Sequence, residues 1–321
     1  MIGNTTASMG MLTERIVAWA TSRSDVRGAV IVGSRARLTD RPADEFSDLD
    51  LLLLADDPSR YLDSSQWVHE IGTPIVTFLE RTITGDHERR VLFDGALDVD
   101  FNFLRTAHIR ILNRYIGIKS RAPFLVGLVP RKLRREIEGK IAVAGGVLRR
   151  GYRVLSDKDG LLSNLPRMVA AKTVQTLPTE QEALNSIGDF WYHALWIARK
   201  LRRGELLIAK QCCDGRLKVL LYDAVTALAL AVHGSEYDTW HDLRFFEQWA
   251  DPATVADLHR VYAHYDRDDI ARALLATMSV YGRVAQEAMC RMGYPYPKEV
   301  EDQVTQWVKA CLSQTEQTWG A

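Results

Sequence analysis

Gly28-Ala29-Val30-Ile31-Val32-Gly33-Ser34-Arg35, resumed after a polar loop holding Pro42 as Ser47-Asp48-Leu49-Asp50-Leu51-Leu52-Leu53-Leu54, decides how the chain is read. Both apolar runs are too short and too abruptly bounded for helices and read as strands. Asp48 and Asp50 alternate at the start of the second strand, so both carboxylates point to one side of a sheet. Working outward, Pro74 to Leu79 and Val99 to Leu104 supply two more strands. Between them, Ser59 to Glu70 has helical spacing, with Tyr61, Leu62, Trp67 and Val68 on one face. Alternation of this kind predicts a small mixed sheet with helices packed on it.

Carboxylates so placed suit magnesium, a hard cation that prefers oxygen ligands. A third acid must come from a neighbouring strand, and Asp98-Val99-Asp100-Phe101 offers two, since alternation sets Asp98 and Asp100 on one face opposite Val99. Gly33-Ser34 stands where a strand ends, a place where glycine lets backbone approach a phosphate and serine can bind it. Arg35 and Arg37 follow, with guanidinium groups suited to phosphate oxygens. Moving a nucleoside monophosphate calls for this set: metal ions that neutralise a triphosphate and hold the attacking and leaving oxygens in line. An isolated Asp-x-Asp is usually a solvated turn, and an isolated Gly-Ser just a turn. The order strand, Gly-Ser-Arg, loop, Ser-Asp-x-Asp, strand, then an acid-bearing strand carries the reading.

At 321 residues the chain is long for one core, and two domains are expected. Lysine plus arginine equals aspartate plus glutamate at 41 each, which argues against nucleic acid as a partner. The only basic cluster of note is Arg131 to Arg135 with Arg149-Arg150, whose ordinary meaning is a solvated helix face. Cys212, Cys213, Cys290 and Cys311 lack metal-binding or bridging spacing and read as reduced thiols. No segment reads as a leader or a membrane span, so a cytoplasmic protein without membrane partners is expected.

The stretch from about 122 to 178 carries Pro123, Pro130, Gly145-Gly146, Gly151 and Gly160, and the junction is placed there. Thr179 and Glu182 then spell a capping box. Beyond it, Phe190, Trp191, Leu195 and Trp196, and later Leu217, Leu220, Leu221, Ala224 and Leu228, recur at helical spacing as the core of a bundle. The expected fold is α+β: residues 1–150 a nucleotide-binding mixed sheet with flanking helices, 151–178 a linker, and 179–321 a C-terminal α-helical bundle that binds the acceptor.

Val32-Gly33-Ser34-Arg35, Asp44-Glu45-Phe46-Ser47-Asp48-Leu49-Asp50, Phe93-Asp94-Gly95 and Val99-Asp100-Phe101 resemble the polymerase-beta-type nucleotidyltransferases, and specifically the aminoglycoside 6-adenylyltransferase (streptomycin adenylyltransferase) family. Val154 to Gly160, Asp189-Phe190-Trp191, Lys200-Leu201 and Glu205 to Lys210 are similar to that family's linker and helical domain, so the resemblance covers most of the chain. It implies ATP as donor, two Mg2+ ions, AMP transfer to a hydroxyl of a cationic small-molecule acceptor of the aminoglycoside kind, and release of pyrophosphate. By position it matches Asp48, Asp50 and Asp100 to the metal ligands, leaving Asp98 a substrate-facing acid.

Gly33, Ser34 and Arg35 are expected to grip the triphosphate, with Lys210 as a further nucleotide contact. Acceptor contacts are expected from Asp189, Glu205 and Asp98, with Asp94 and Glu80 as further acids. Glu205 or Asp100 is expected to take the hydroxyl proton. The chain departs from the family at Lys210-Gln211, where an acid is expected after Glu205 to Ala209, which leaves the general base and the acceptor open. Two other functions remain: the same donor site serving a protein, RNA or other acceptor, and a nucleotide-binding regulator.

Overall fold

The structure, a computed structural model, describes residues 5–37, 41–82, 87–170 and 175–313. The chain divides into two compact units, Met1–Thr173 and Val174–Ala321. The first is built on six strands: β1 (Val26–Val32), β2 (Leu49–Ala55), β3 (Pro74–Arg81), β4 (His87–Phe93), β5 (Leu97–Arg105) and β6 (Tyr152–Asp157). Their order across the sheet is β3-β4-β5-β2-β1-β6. β2 and β5 run parallel, with Asp50 beside Asp100, and the other pairs are antiparallel. The sheet is therefore mixed, as expected.

Alternation in β2 and β5 explains the two layers. Leu49, Leu51, Leu53, Val99, Phe101 and Phe103 face a core shared with Ile16 and Trp19 of helix α1 (Thr5–Ser22) and with Tyr61 and Trp67. Val30, Val32 and Leu54 face the other way, toward Ile116 of α3 (Thr106–Arg121), Leu148 of α4 (Arg131–Arg149) and Met168 of α5 (Leu165–Ala170).

Three local expectations change. The segment Ser59 to Glu70 is not one helix but the short α2 (Ser59–Leu62) and a 3-10 turn, Gln66–Glu70. Asp63-Ser64-Ser65 favours turns over helix, and the carbonyls freed there are bound elsewhere. Trp67 Nε1 donates to the carbonyls of Tyr61 at 3.0 Å and Ser64 at 2.9 Å, and buried Arg89 donates to those of Tyr61 and Leu62. Gly145-Gly146 does not break α4, because burial along that helix outweighs the roughly 1 kcal/mol that a helical glycine costs. Tyr152–Asp157, inside the stretch expected to link the halves, is the edge strand against β1.

The regular elements described in the second unit are helical, chiefly α6 (Glu180–Arg202), α7 (Leu206–Gln211), α8 (Leu217–His233), α9 (Phe246–Trp249), α10 (Pro252–Val261), α11 (Arg267–Met292) and α12 (Lys298–Ser313). α6 opens on the expected capping box, Glu182 N–H donating to Thr179 Oγ1 at 3.3 Å and Thr179 N–H to Glu182 Oε2 at 2.8 Å. Phe190, Trp191, Leu217, Leu221 and Tyr281 form its core, with the Phe190 and Tyr281 rings stacked. No helix among the described residues is long and apolar enough to cross a membrane.

Candidate active site

β1 ends at Gly33, whose φ of 73° belongs to the left-handed region. A Cβ on Gly33 would stand 2.5 Å from Asp50 Oδ2, so only glycine lets the turn pass this close to the acid. The turn continues as the 3-10 segment Ser34–Ala36. The Ser34 hydroxyl oxygen is buried with no hydrogen-bond partner.

Across the sheet, the carboxylates of Asp48, Asp50 and Asp100 each bring an oxygen within 4.8 Å of the others. Asp48 and Asp50 are half-buried, and Asp100 is buried. Parallel pairing sets Asp50 directly beside Asp100. Asp98 lies one alternation toward the start of β5, outside this triad, on its exposed end. Desolvation against the sheet and repulsion from Asp48 raise its pKa. Burial pushes the Asp100 carboxyl up to about 7, against the pull of Arg90, and Glu88, Asp50 and Asp98 push the same way.

Arg90 of β4 stands opposite Asp100, its Nη2 2.9 Å from Asp100 Oδ2 and its Nε 2.8 Å from Glu80 Oε2. Asp100 Oδ1 remains buried and without a partner, as does the side-chain oxygen of Asn102 next along that face. An unpartnered buried oxygen, a carboxyl whose burial, with acids beside it, resists ionisation, and an all-oxygen donor set fit a hard divalent cation. Neither Arg90 nor Asn102 was found by sequence reasoning. The alternation Glu88-x-Arg90-x-Leu92 was the available signal, obscured by the charged run Glu88-Arg89-Arg90.

Arg35, expected to grip phosphate, is held by backbone carbonyls. Its Nε donates to the Asp48 carbonyl at 2.9 Å and to the Ser47 carbonyl at 3.1 Å, and its Nη2 to the Ser47 carbonyl. It ties the loop before β2 to the turn after β1. Asp44 closes that loop from the other end, accepting from the Ser47 hydroxyl at 2.8 Å and the Phe46 N–H at 3.0 Å. Arg37 Nε donates to the Arg150 carbonyl at 2.8 Å.

Asp94 stands in the turn between β4 and β5, accepting from the Gly95 N–H at 2.9 Å. Glu205, Lys210 and Asp189 lie in the second unit and are ion-paired there. Glu205 sits between Lys200 Nζ and Arg203 Nε, each at 2.6 Å, and the hydrogen bond from Lys200 leads in lowering its pKa. Lys210 pairs with Asp214 and donates to the Ala263 carbonyl at 2.7 Å. Asp189 pairs with Arg216 and with His193 Nδ1, the latter at 2.6 Å. All four cysteines are free thiols.

A mixed sheet carrying an acid triad beside a Gly-Ser turn, joined to a helical unit, is the frame of a nucleotidyltransferase enzyme. The chain belongs to the streptomycin adenylyltransferase family, whose model matches residues 7–311. The resemblance read from the sequence is borne out across the chain. An aminoglycoside 6-adenylyltransferase of Campylobacter jejuni is 20% identical over 284 residues, 88% of each chain. A crystal structure of an aminoglycoside 6-adenyltransferase from Bacillus subtilis matches at 14% identity with a TM-score of 0.40, covering 94% of this chain and 98% of that one.

Proposed function

We propose that the chain transfers AMP from ATP to a hydroxyl of an aminoglycoside-like cationic small molecule and releases pyrophosphate. The observation that carries the donor half is the Asp48, Asp50, Asp100 triad set against Gly33 and Ser34. The acceptor class follows from family membership and from the acids around the triad.

In this reading Asp48, Asp50 and Asp100 hold two Mg2+ ions, which when bound neutralise the triphosphate and make the acceptor hydroxyl more acidic. Gly33 brings backbone up to the phosphates, and the Ser34 hydroxyl binds a phosphate oxygen in place of the partner it lacks. Arg35 acts as a positioning residue, fixing the carbonyls that flank Asp48. Asp100, at the β4 side of the triad, receives the hydroxyl proton. Glu205, held by two cations, serves acceptor binding instead. Residues 1–150 with β6 form the donor-binding part and 179–321 the acceptor-binding part. Asp189 offers a further acidic contact to the acceptor and Lys210 a contact to the nucleotide. The free thiols accord with a cytoplasmic location.

The test is incubation with ATP, Mg2+ and a panel of aminoglycosides that includes streptomycin. AMP-modified product and pyrophosphate are expected together. Asp48→Asn and Asp50→Asn are each expected to lose on the order of 10²-fold or more in turnover. ATP binding without product from any aminoglycoside would remove the acceptor assignment, and pyrophosphate release that survives both substitutions would remove the triad.

A further inference from the structure

Strand register lays out the face of the sheet that carries the acids as a grid. One row runs Phe78, Arg90, Asp100, Asp50 and Val32 from β3 to β1. The row toward the start of β5 begins Val76, Leu92, Asp98, and the row beyond begins Glu80, Glu88, Asn102. Over β1 and β2 this face is covered by apolar side chains of α3, α4 and α5. Over β3 and β4 it is open among the described residues: Val76 and Phe78 are each 49% exposed and Leu92 36%.

In-line displacement at phosphorus puts the leaving and attacking oxygens on opposite sides. Gly33 and Ser34 mark the leaving side, at the end of β1 beyond Asp50. The attacking hydroxyl therefore comes from beyond Asp100, across β4 and β3. On that side Asp98, Asp100, Glu80 and Glu88 gather about Arg90, which is already paired with Asp100, Glu80 and Glu88. Negative charge beside a short apolar strip complements a molecule that has C–H ring faces and ammonium groups.

We propose that the open β3–β4–β5 face is the floor of the acceptor site in the first unit. Phe78 and Leu92 support the apolar face of an amino-sugar ring, and Asp98 and Glu80 take its ammonium groups. This rests on the proposed function and deepens it, naming an acceptor surface of the first unit directly beside the triad. Arg90 is the positioning residue that ties Glu80 to Asp100 across two neighbouring rows.

Steady-state adenylylation with ATP, Mg2+ and streptomycin, run on full-length wild type, Phe78→Ala and Leu92→Lys, tests it. Both side chains are exposed, so melting temperatures should stay near that of wild type, which is checked first. The acceptor KM is expected to rise on the order of tenfold in each variant, with the ATP KM within about twofold of wild type. An unchanged acceptor KM in both variants overturns the floor and leaves the proposed function standing. So does a loss expressed wholly in the ATP KM, or a changed oligomeric state with kinetics intact, which would assign the strip to self-association. A wild type that modifies neither streptomycin nor any other aminoglycoside in the panel removes the acceptor class, and this floor with it.

Discussion

Two residues show how closely the proposed donor site is fitted. Gly33→Ala adds a Cβ into the 2.5 Å gap to Asp50 Oδ2 and strains a left-handed backbone, so it displaces an acid without removing one. Turnover is expected to fall on the order of 10²-fold while circular dichroism stays that of the wild type; near-normal turnover would show that the turn does not set Asp50. Asp100 trades stability for charge. Its folded-state pKa, about 7, stands above an ordinary value near 3.8. Its contribution to stability is then fully present below the lower value and lost as the pH rises through about 7, because the unfolded chain ionises first. Asp100→Asn is therefore expected to melt at the wild-type temperature near pH 4 and above it at pH 8, both without metal, while transfer is lost. A lower melting temperature at pH 8 would show instead that the pair with Arg90 outweighs burial.

At the scale of elements, the helix ends offer a test confined to the second unit. Asp251 caps α10, accepting from the N–H groups of Ala253 and Thr254, from the Thr254 hydroxyl and from Arg283. Burial raises its pKa, but these bonds together hold it below the ordinary range. Stability from such a group is present above its unfolded pKa and disappears as the pH falls through the folded one. Asp251→Ala is expected to cost about 1 kcal/mol in urea denaturation at pH 7, with the gap to wild type closing in acid; a gap that persists at pH 2 would mean lost packing. The short α7 raises a different question, since its first flanking residue, Glu205, is neutralised by Lys200 and Arg203. Glu205→Gln is expected to lose less than about tenfold in kcat, with the larger change in acceptor KM. A loss of about 10²-fold or more in kcat with ATP binding retained would return the general-base role to Glu205.

Over the whole molecule, labour is proposed to divide with the cores. The core residues of the helical unit, from Ala183 onward, are a separate set from those of the sheet unit, which run from Met9 to Met168. A non-hydrolysable ATP analogue with Mg2+ is therefore expected to slow hydrogen exchange at Gly33–Arg37, Ser47–Asp50 and Asp98–Asn102. Protection confined to residues 180–313 would place the donor in the wrong unit.

Local periodicity made much of this legible from sequence alone. The strands carrying Val32, Asp50 and Asp100, the common face of Asp48 and Asp50, and the Thr179–Glu182 capping box each depend on residues a few positions apart, where backbone geometry dictates direction. Alternation by itself left Asp98 and Asp100 equivalent. The parallel register of β2 and β5 distinguishes them, because it sets Asp100 rather than Asp98 beside Asp50. β4 escaped notice because Arg89 is a charge buried on a strand, stabilised by carbonyls of Tyr61 and Leu62 that are far away in sequence. The loop-tying role of Arg35, the pairing of Arg90 with Asp100 and the neutralisation of Glu205 belong to tertiary structure for the same reason. What a charged side chain does is set by the partner that folding brings to it, and residue type fixes only which partners are possible.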